Sequence, residues 1–145
     1  MLKLISNSLY PSKVFFTSIF IFVLAWSSQA QMKDVDNTLL LNLLDNKVPI
    51  IDIREDTEWK ETGIIEGSHL ITFFDGDGKY DLPSWMKSLG QIARNEDAVI
   101  LICRSGRRSA IVGKFLVDKA KYREVYNVKD GIKGWIKAEL EVIRY

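Results

Sequence analysis

The sequence predicts an α/β domain built on an open, mostly parallel β-sheet flanked by helices. Two short, nearly continuous apolar runs rich in β-branched residues, Ile50–Ile53 and Ala98–Ile102, have the pattern of strands covered on both faces. Segments of helical spacing alternate with the strand-like ones, which is the order that βα units require. The 145 residues are 47% hydrophobic with only 3 Pro, so they can bury one core and leave little room for a second domain. That composition also excludes disordered and low-complexity classes.

The elements follow in order. From Asp34, the residues Val35, Leu39, Leu40, Leu43 and Leu44 keep helical spacing until Val48-Pro49, where proline stops it, which predicts a surface helix with one buried face. Ile50–Ile53 reads as the first strand, with Asp52 and Arg54 at its carboxyl end. Asp56–Glu61 reads as a short helix stopped at Gly63, and His69–Phe73 as a second strand. Asp75-Gly76-Asp77-Gly78 is a turn with a superficial likeness to a calcium loop. Lys79 stands at its fifth position and Met86 at its twelfth, where oxygen ligands are needed, so no metal is expected. Next come a helix over Pro83–Ala93 and the run Ala98–Ile102, expected as the central strand, with Cys103 directly at its carboxyl end. A helix beginning at Ser109 and running to Val117, a strand over Val125–Val128 and a last helix over Gly131–Ala138 complete the pattern.

The first thirty residues differ from the rest. Lys3 and Lys13 precede the apolar run Val14–Trp26, and Ser28-Gln29-Ala30 places small residues at the −3 and −1 positions of a cut before Gln31. This reads as a secretory signal cleaved after Ala30, with the mature domain at 31–145 and the periplasm as the expected compartment. The competing reading is a membrane anchor: the 19 residues from Val14 to Met32 carry no charge and, at about 1.5 Å per residue, would just span a bilayer. Removing the signal takes two of the 20 Lys+Arg, leaving 18 against 19 Asp+Glu, so no polyanion such as nucleic acid is implied as a partner.

Cys103 is the only cysteine, so it closes no intramolecular disulfide. A lone thiol in an oxidising compartment is either buried as a small apolar residue or kept for its reactivity. Its place favours reactivity, because open parallel sheets bind ligands beyond the carboxyl ends of their strands. The segment Cys103-Arg104-Ser105-Gly106-Arg107-Arg108-Ser109 joins the strand to a helix, and Gly106 allows a tight curl that turns successive N–H groups inward as an anion nest. The helix N-terminus and three arginines add positive charge, and all of these favour a thiolate over a thiol.

At this loop the chain resembles the rhodanese family of single-cysteine sulfurtransferases. The resemblance runs from Val48 to the C-terminus and rests on three blocks. Ile50-Ile51-Asp52-Ile53-Arg54-Glu55, with Trp59 and Gly63…Gly67, is similar to the family's opening D-[VI]-R-E…G-H-I-x-G-A block. Cys103–Ser109 matches its C-R-x-G-x-R-S loop, and Val125-Tyr126-Asn127-Val128-Lys129-Asp130-Gly131-Ile132-Lys133-Gly134-Trp135 matches its closing V-x-N-[LV]-x-G-G-[IM]-x-x-W block.

The resemblance implies a rhodanese-like fold and a displacement in two steps. Cys103 takes the outer sulfur of a small anionic donor such as thiosulfate as a persulfide, and a cyanide, thiol or protein acceptor removes it. No cofactor is implied. The loop amides from Arg104 to Ser109 would cradle the transferred sulfur, with Arg104 and Arg107 meeting the donor and Arg108 acting as a structural clamp. Asp52 and Arg54 are expected to form a salt bridge that fixes the loop after their strand. Trp59, Trp85 and Trp135 are expected as core or rim aromatics.

Two departures matter. The family's Gly-His-Ile is Gly63-Ile64-Ile65 here, and the only histidine, His69, is expected at a strand end without a catalytic role. Asp130 replaces the first glycine of the closing pair, which should alter that turn more than the chemistry. Among other readings, a cysteine phosphatase or arsenate reductase needs five residues between cysteine and arginine, whereas Cys103 and Arg108 enclose four. A disulfide oxidoreductase needs a resolving cysteine. A persulfide carrier or sensor would have the same loop as a catalyst.

Overall fold

The computed structural model describes residues 30–145. The proposed signal and the cut after Ala30 involve residues outside that range. Among the described residues, no helix is long and apolar enough to cross a membrane.

Ten elements follow in the order β1 (Gln31–Val35), α1 (Asn37–Asp45), β2 (Ile50–Asp52), α2 (Asp56–Thr62), β3 (His69–Leu70), α3 (Leu82–Gly90), β4 (Ala98–Ile102), α4 (Arg107–Asp118), β5 (Glu124–Val128) and α5 (Gly131–Lys137). The five strands form one sheet, ordered β1-β5-β4-β2-β3, and every pairing is parallel. Side chains alternate between the two faces of each strand and divide the core into two layers. Ile51, Ile53, Val99, Leu101 and Cys103 face Trp85 and Leu89 of α3 and Val112 and Leu116 of α4. Ile50, Ile100, Ile102, Tyr126 and Val128 face Leu40 and Leu43 of α1 and Ile132 and Trp135 of α5. Both sheet faces are covered, which is why the strands read as continuous apolar runs.

The sequence reading misplaces two elements. Val35 lies at the end of strand β1, not in a helix, and α1 starts only at Asn37 behind Asp36, whose carboxylate accepts the Leu39 N–H at 2.9 Å. Gln31–Val35 escaped notice because β1 is a largely exposed edge strand carrying Gln31, Lys33 and Asp34, with Val35 its only buried residue. The strand expected over His69–Phe73 is reduced to two residues. Beyond them the chain continues as an irregular edge, with Ile71 and Phe73 donating to the carbonyls of Asp52 and Ile53. Elsewhere the differences are at ends: α3 stops at Gly90, and α4 begins two residues before Ser109, directly after Gly106.

The topology places the site. From β4 the chain continues towards β5 on one side, and from β2 towards β3 on the other. The loops that leave the carboxyl ends of these neighbouring strands therefore diverge, and open α/β sheets bind ligands at such a switch point. Cys103 and Arg54 occupy those two ends.

Candidate active site

Cys103 follows the last residue of the central strand and is 1% exposed. The residue packs into the core layer of α3 and α4, at the start of the loop that leads to α4. Ser109, also fully buried, places its hydroxyl 3.2 Å from Cys103 Sγ and 3.2 Å from the Gly106 carbonyl. A hydroxyl has one hydrogen, so it donates to the sulfur when that carries charge and to the carbonyl when the thiol is protonated.

The curl of the loop is enforced from α5. The N–H groups of Ile132 and Lys133 donate to the carbonyls of Cys103 and Arg104 at 2.9 and 3.2 Å. In a trans peptide the N–H points away from its C=O, so the amides of Arg104 and Ser105 face the opposite way, away from α5. Gly106 then turns the chain with φ 82° and leads into α4 without a side-chain cap. Among the described residues, none of the backbone N–H groups from Arg104 to Ser109 has a protein acceptor. Backbone N–H groups left open in succession are able to take up an anion.

Two glycines make the approach of loop and α5 possible. A Cβ on Gly106 would land on the carbonyl oxygen of Lys129, and one on Gly131 (φ 59°) would lie 2.5 Å from the Cys103 carbonyl oxygen and the Ser105 nitrogen. Asp130 has φ −101°, a value open to any residue, so the aspartate at this usual glycine position is accommodated without strain.

The three arginines divide. Arg108 is half-buried, and its Nη2 donates to Glu58 Oε1 of α2 at 2.6 Å, which fixes the start of α4. Its guanidinium is held above the ordinary arginine value first by that hydrogen bond, against the pull of burial, with the charges of Glu58 and Cys103 adding to it. Burial pushes the Glu58 carboxyl up, but the Arg108 hydrogen bond, the Glu55 N–H and the charges of Arg108 and Arg54 outweigh it and hold the group below its usual range. Arg104 is exposed and 4.0 Å from Glu61, and Arg107 and Ser105 are exposed as well. The loop thus brings Cys103, Gly106 and Ser109 together inside and leaves Arg104, Ser105 and Arg107 on its rim.

At the end of β2, Asp52 and Arg54 are both 0% exposed. Arg54 donates from Nε and Nη2 to the two Asp52 oxygens at 2.9 and 2.6 Å, from Nη1 to Thr62 Oγ1 at 2.7 Å and from Nη2 to the Gly63 carbonyl at 3.0 Å. This ion pair ties β2 to the end of α2, as the sequence reading expects. His69 is exposed in β3, and with Leu41, Val48 and Pro49 it borders a groove of about 540 Å³ at the amino end of β2, away from Cys103. Trp59, Trp85 and Trp135 are buried. Glu58 was missed by sequence reasoning. Its only signal was the Glu55-x-x-Glu58 spacing of a helix start, which says nothing of Arg108 fifty residues on.

Comparisons with known proteins agree with this geometry. Residues 36–138 match the profile of the rhodanese-like domain, a span that takes in α1 and so begins earlier than the resemblance at Val48 suggested. YtwF of Bacillus subtilis, whose name assigns it provisionally to the sulfurtransferases, is 30% identical over 107 residues, covering 72% of this chain and 91% of its own. A rhodanese-like domain protein from Staphylococcus aureus superposes with a TM-score of 0.56 at 26% identity, covering 77% of this chain and 99% of its own. A thiosulfate sulfurtransferase from Pseudomonas aeruginosa, 20% of whose chain is covered against 78% of this one, superposes with a TM-score of 0.61 at 21% identity. With a parallel five-stranded sheet, a cysteine loop at its centre and a family profile matched from 36 to 138, the chain belongs to the rhodanese-like domain family.

Proposed function

We propose that this protein is an exported sulfurtransferase, cut after Ala30, that moves a sulfane sulfur from thiosulfate or a similar donor to a thiophilic acceptor through a persulfide on Cys103. One observation carries the reading: the single cysteine ends the central strand directly before a loop whose N–H groups, from Arg104 to Ser109, have no protein acceptor among the described residues. The Cys103 thiolate attacks the outer sulfur of the donor. The donor's S–S bond breaks, its electron pair leaves on sulfite, and the outer sulfur stays on Cys103. The amides and the Ser109 hydroxyl stabilise the negative charge on the bound sulfur at the moment it develops. Arg104 and Arg107, exposed at the rim, attract the dianionic donor, while Arg108, held by Glu58, keeps the loop in shape. Because Cys103 is almost without exposure, the donor must present its outer sulfur end-on, which suits thiosulfate. Cyanide or a thiol then takes the sulfur and the Cys103 thiolate leaves, so one group serves as nucleophile and leaving group. The likeness to YtwF supports sulfur transfer in general. The four residues between Cys103 and Arg108 argue against phosphoryl transfer.

The test is intact-mass analysis after brief incubation with thiosulfate, with Cys103→Ser as control. A gain of one sulfur atom, absent from the control and removed by cyanide, is expected. No gain with thiosulfate or a polysulfide would overturn the reading.

A further inference from the structure

Two acids of α2 meet arginines of the cysteine loop, and they hold them very differently. Glu58 and Glu61 are three residues apart on α2 and so are neighbours on its surface. The Glu58 side chain is 15% exposed and lies 2.6 Å from Nη2 of Arg108. Glu61 is 61% exposed and stands 4.0 Å from Nη2 of Arg104, which is 46% exposed. A carboxylate and a guanidinium at that distance and exposure attract each other weakly and exchange partners readily in water. Their backbones nevertheless keep them side by side. The Arg104 carbonyl accepts from the Lys133 N–H at 3.2 Å, and Thr62 and Gly63, directly after Glu61, are bonded by the buried Arg54 at 2.7 and 3.0 Å. Arg104 immediately follows Cys103, so its side chain stands where a donor must arrive. Among the described residues, Arg107 enters no ion pair, and Glu61 is the one acid within ion-pair distance of an exposed loop arginine.

We propose that Glu61 is a specificity-determining residue of the donor site: it is the resting counter-ion of Arg104, and an anionic donor takes its place. The inference rests on the persulfide reading above and adds what sets the strength of donor binding. An arriving dianion finds Arg104 already neutralised in part and must displace a like charge to reach it. The cost of that exchange grows with the charge of the donor. When sulfite forms, the carboxylate returns to Arg104 and helps the anion leave. Glu61 therefore lowers the affinity for thiosulfate, speeds release of the anionic product and favours donors of low charge. Arg108 takes no part in this exchange, because Glu58 holds it at 2.6 Å in a less exposed setting.

The experiment measures sulfur transfer to cyanide from two donors, the dianion thiosulfate and the monoanion benzenethiosulfonate. Glu61→Gln should lower KM for thiosulfate about threefold with kcat unchanged, a size open to a charge pair at the surface. For benzenethiosulfonate the factor should be about the square root of that, since half the charge is repelled. Sulfate, an inert dianion, should inhibit Glu61→Gln more strongly than wild type by the same factor as thiosulfate gains. The difference should vanish in about 1 M NaCl, where the screening length is about 3 Å. It should also vanish when Glu61→Gln is made in an Arg104→Gln background, because no counter-ion is then released. Asp56→Asn, on the same helix but paired with Lys60, is the control for a mere change in net charge. A KM for thiosulfate that is unchanged or raised in Glu61→Gln would overturn the inference. So would a fall matched by Asp56→Asn, equal for both donors, or persisting in high salt or without Arg104. Failure of the wild-type protein to acquire sulfur at all would instead defeat the persulfide reading, and this inference with it.

Discussion

Two neighbouring strand ends solve opposite problems with similar groups. At the end of β2, Arg54 and Asp52 are wholly buried, and the guanidinium donates to Asp52, Thr62 and Gly63 so that its charge is fully partnered. At the end of β4, one strand away, the amides from Arg104 to Ser109 are left without protein acceptors around a buried thiol. The first arrangement holds loops in place, and the second leaves open the donors that the proposed sulfur transfer calls for. The first N–H groups of α4 have no acceptor within the helix, and the preceding loop adds those of Arg104 to Gly106 to the same open run. The difference between the two ends separates support from chemistry more reliably than residue type does, since both contain arginine.

The comparison breaks most completely at Cys103. Cys103→Ser should abolish persulfide formation by mass while changing unfolding free energy by about 1 kcal/mol, measured by urea denaturation. Arg54→Ala should do the reverse. Removing one partner of a buried ion pair costs about 3–5 kcal/mol, so the protein should lose much of its stability and any remaining folded fraction should still take up sulfur. Asp52→Ala/Arg54→Ala should cost less than the two single changes together, because neither charge is then left buried alone. If Arg54→Ala abolished sulfur uptake in protein that is still folded, the division between the two ends would fail.

Gly106→Ala tests the join between loop and α5. Its φ of 82° costs a side chain about 1–3 kcal/mol, and the new Cβ would strike the Lys129 carbonyl, so stability and sulfur uptake should fall together. Ser109→Ala should separate them. The Gly106 carbonyl keeps its bond from the Ala110 N–H at 3.1 Å, so stability should hold while the rate of persulfide formation drops about tenfold.

The two ends also differed in how far they could be read from the chain. Cys103, its strand and its loop were legible because apolar run, cysteine, glycine and arginines are adjacent in sequence. The Asp52 and Arg54 pair was legible for the same reason, being two residues apart. The groups that act across the fold were not. Nothing local to Gly131 or Ile132 says that α5 will bond the carbonyls of Cys103 and Arg104, and nothing local to Glu58 says that it will meet Arg108. Strand β1 was invisible because it lies at the sheet edge, where Gln31, Lys33 and Asp34 are exposed and its place is set by pairing with the distant β5. Sequence pattern reports burial along an element and fails where long-range pairing sets the structure.

Glu58 gives the smallest effect and the finest test, because it belongs to the supporting set yet touches the loop. Its folded carboxyl is held below the ordinary value of 4.5, so the folded state is favoured by its ionised form. That contribution is present in full above pH 4.5 and is lost as pH falls through the lowered folded value. Glu58→Gln keeps the shape and removes the charge, and should cost about 1 kcal/mol at pH 7 for a half-buried pair with Arg108. The gap between wild type and variant should then close as the pH falls below 4.5, followed by urea denaturation across that range. Since the same change frees Arg108 beside the loop, it should raise KM for thiosulfate more than it lowers kcat. A stability gap independent of pH would mean that Glu58 acts by packing alone, and that the clamp on Arg108 is not electrostatic.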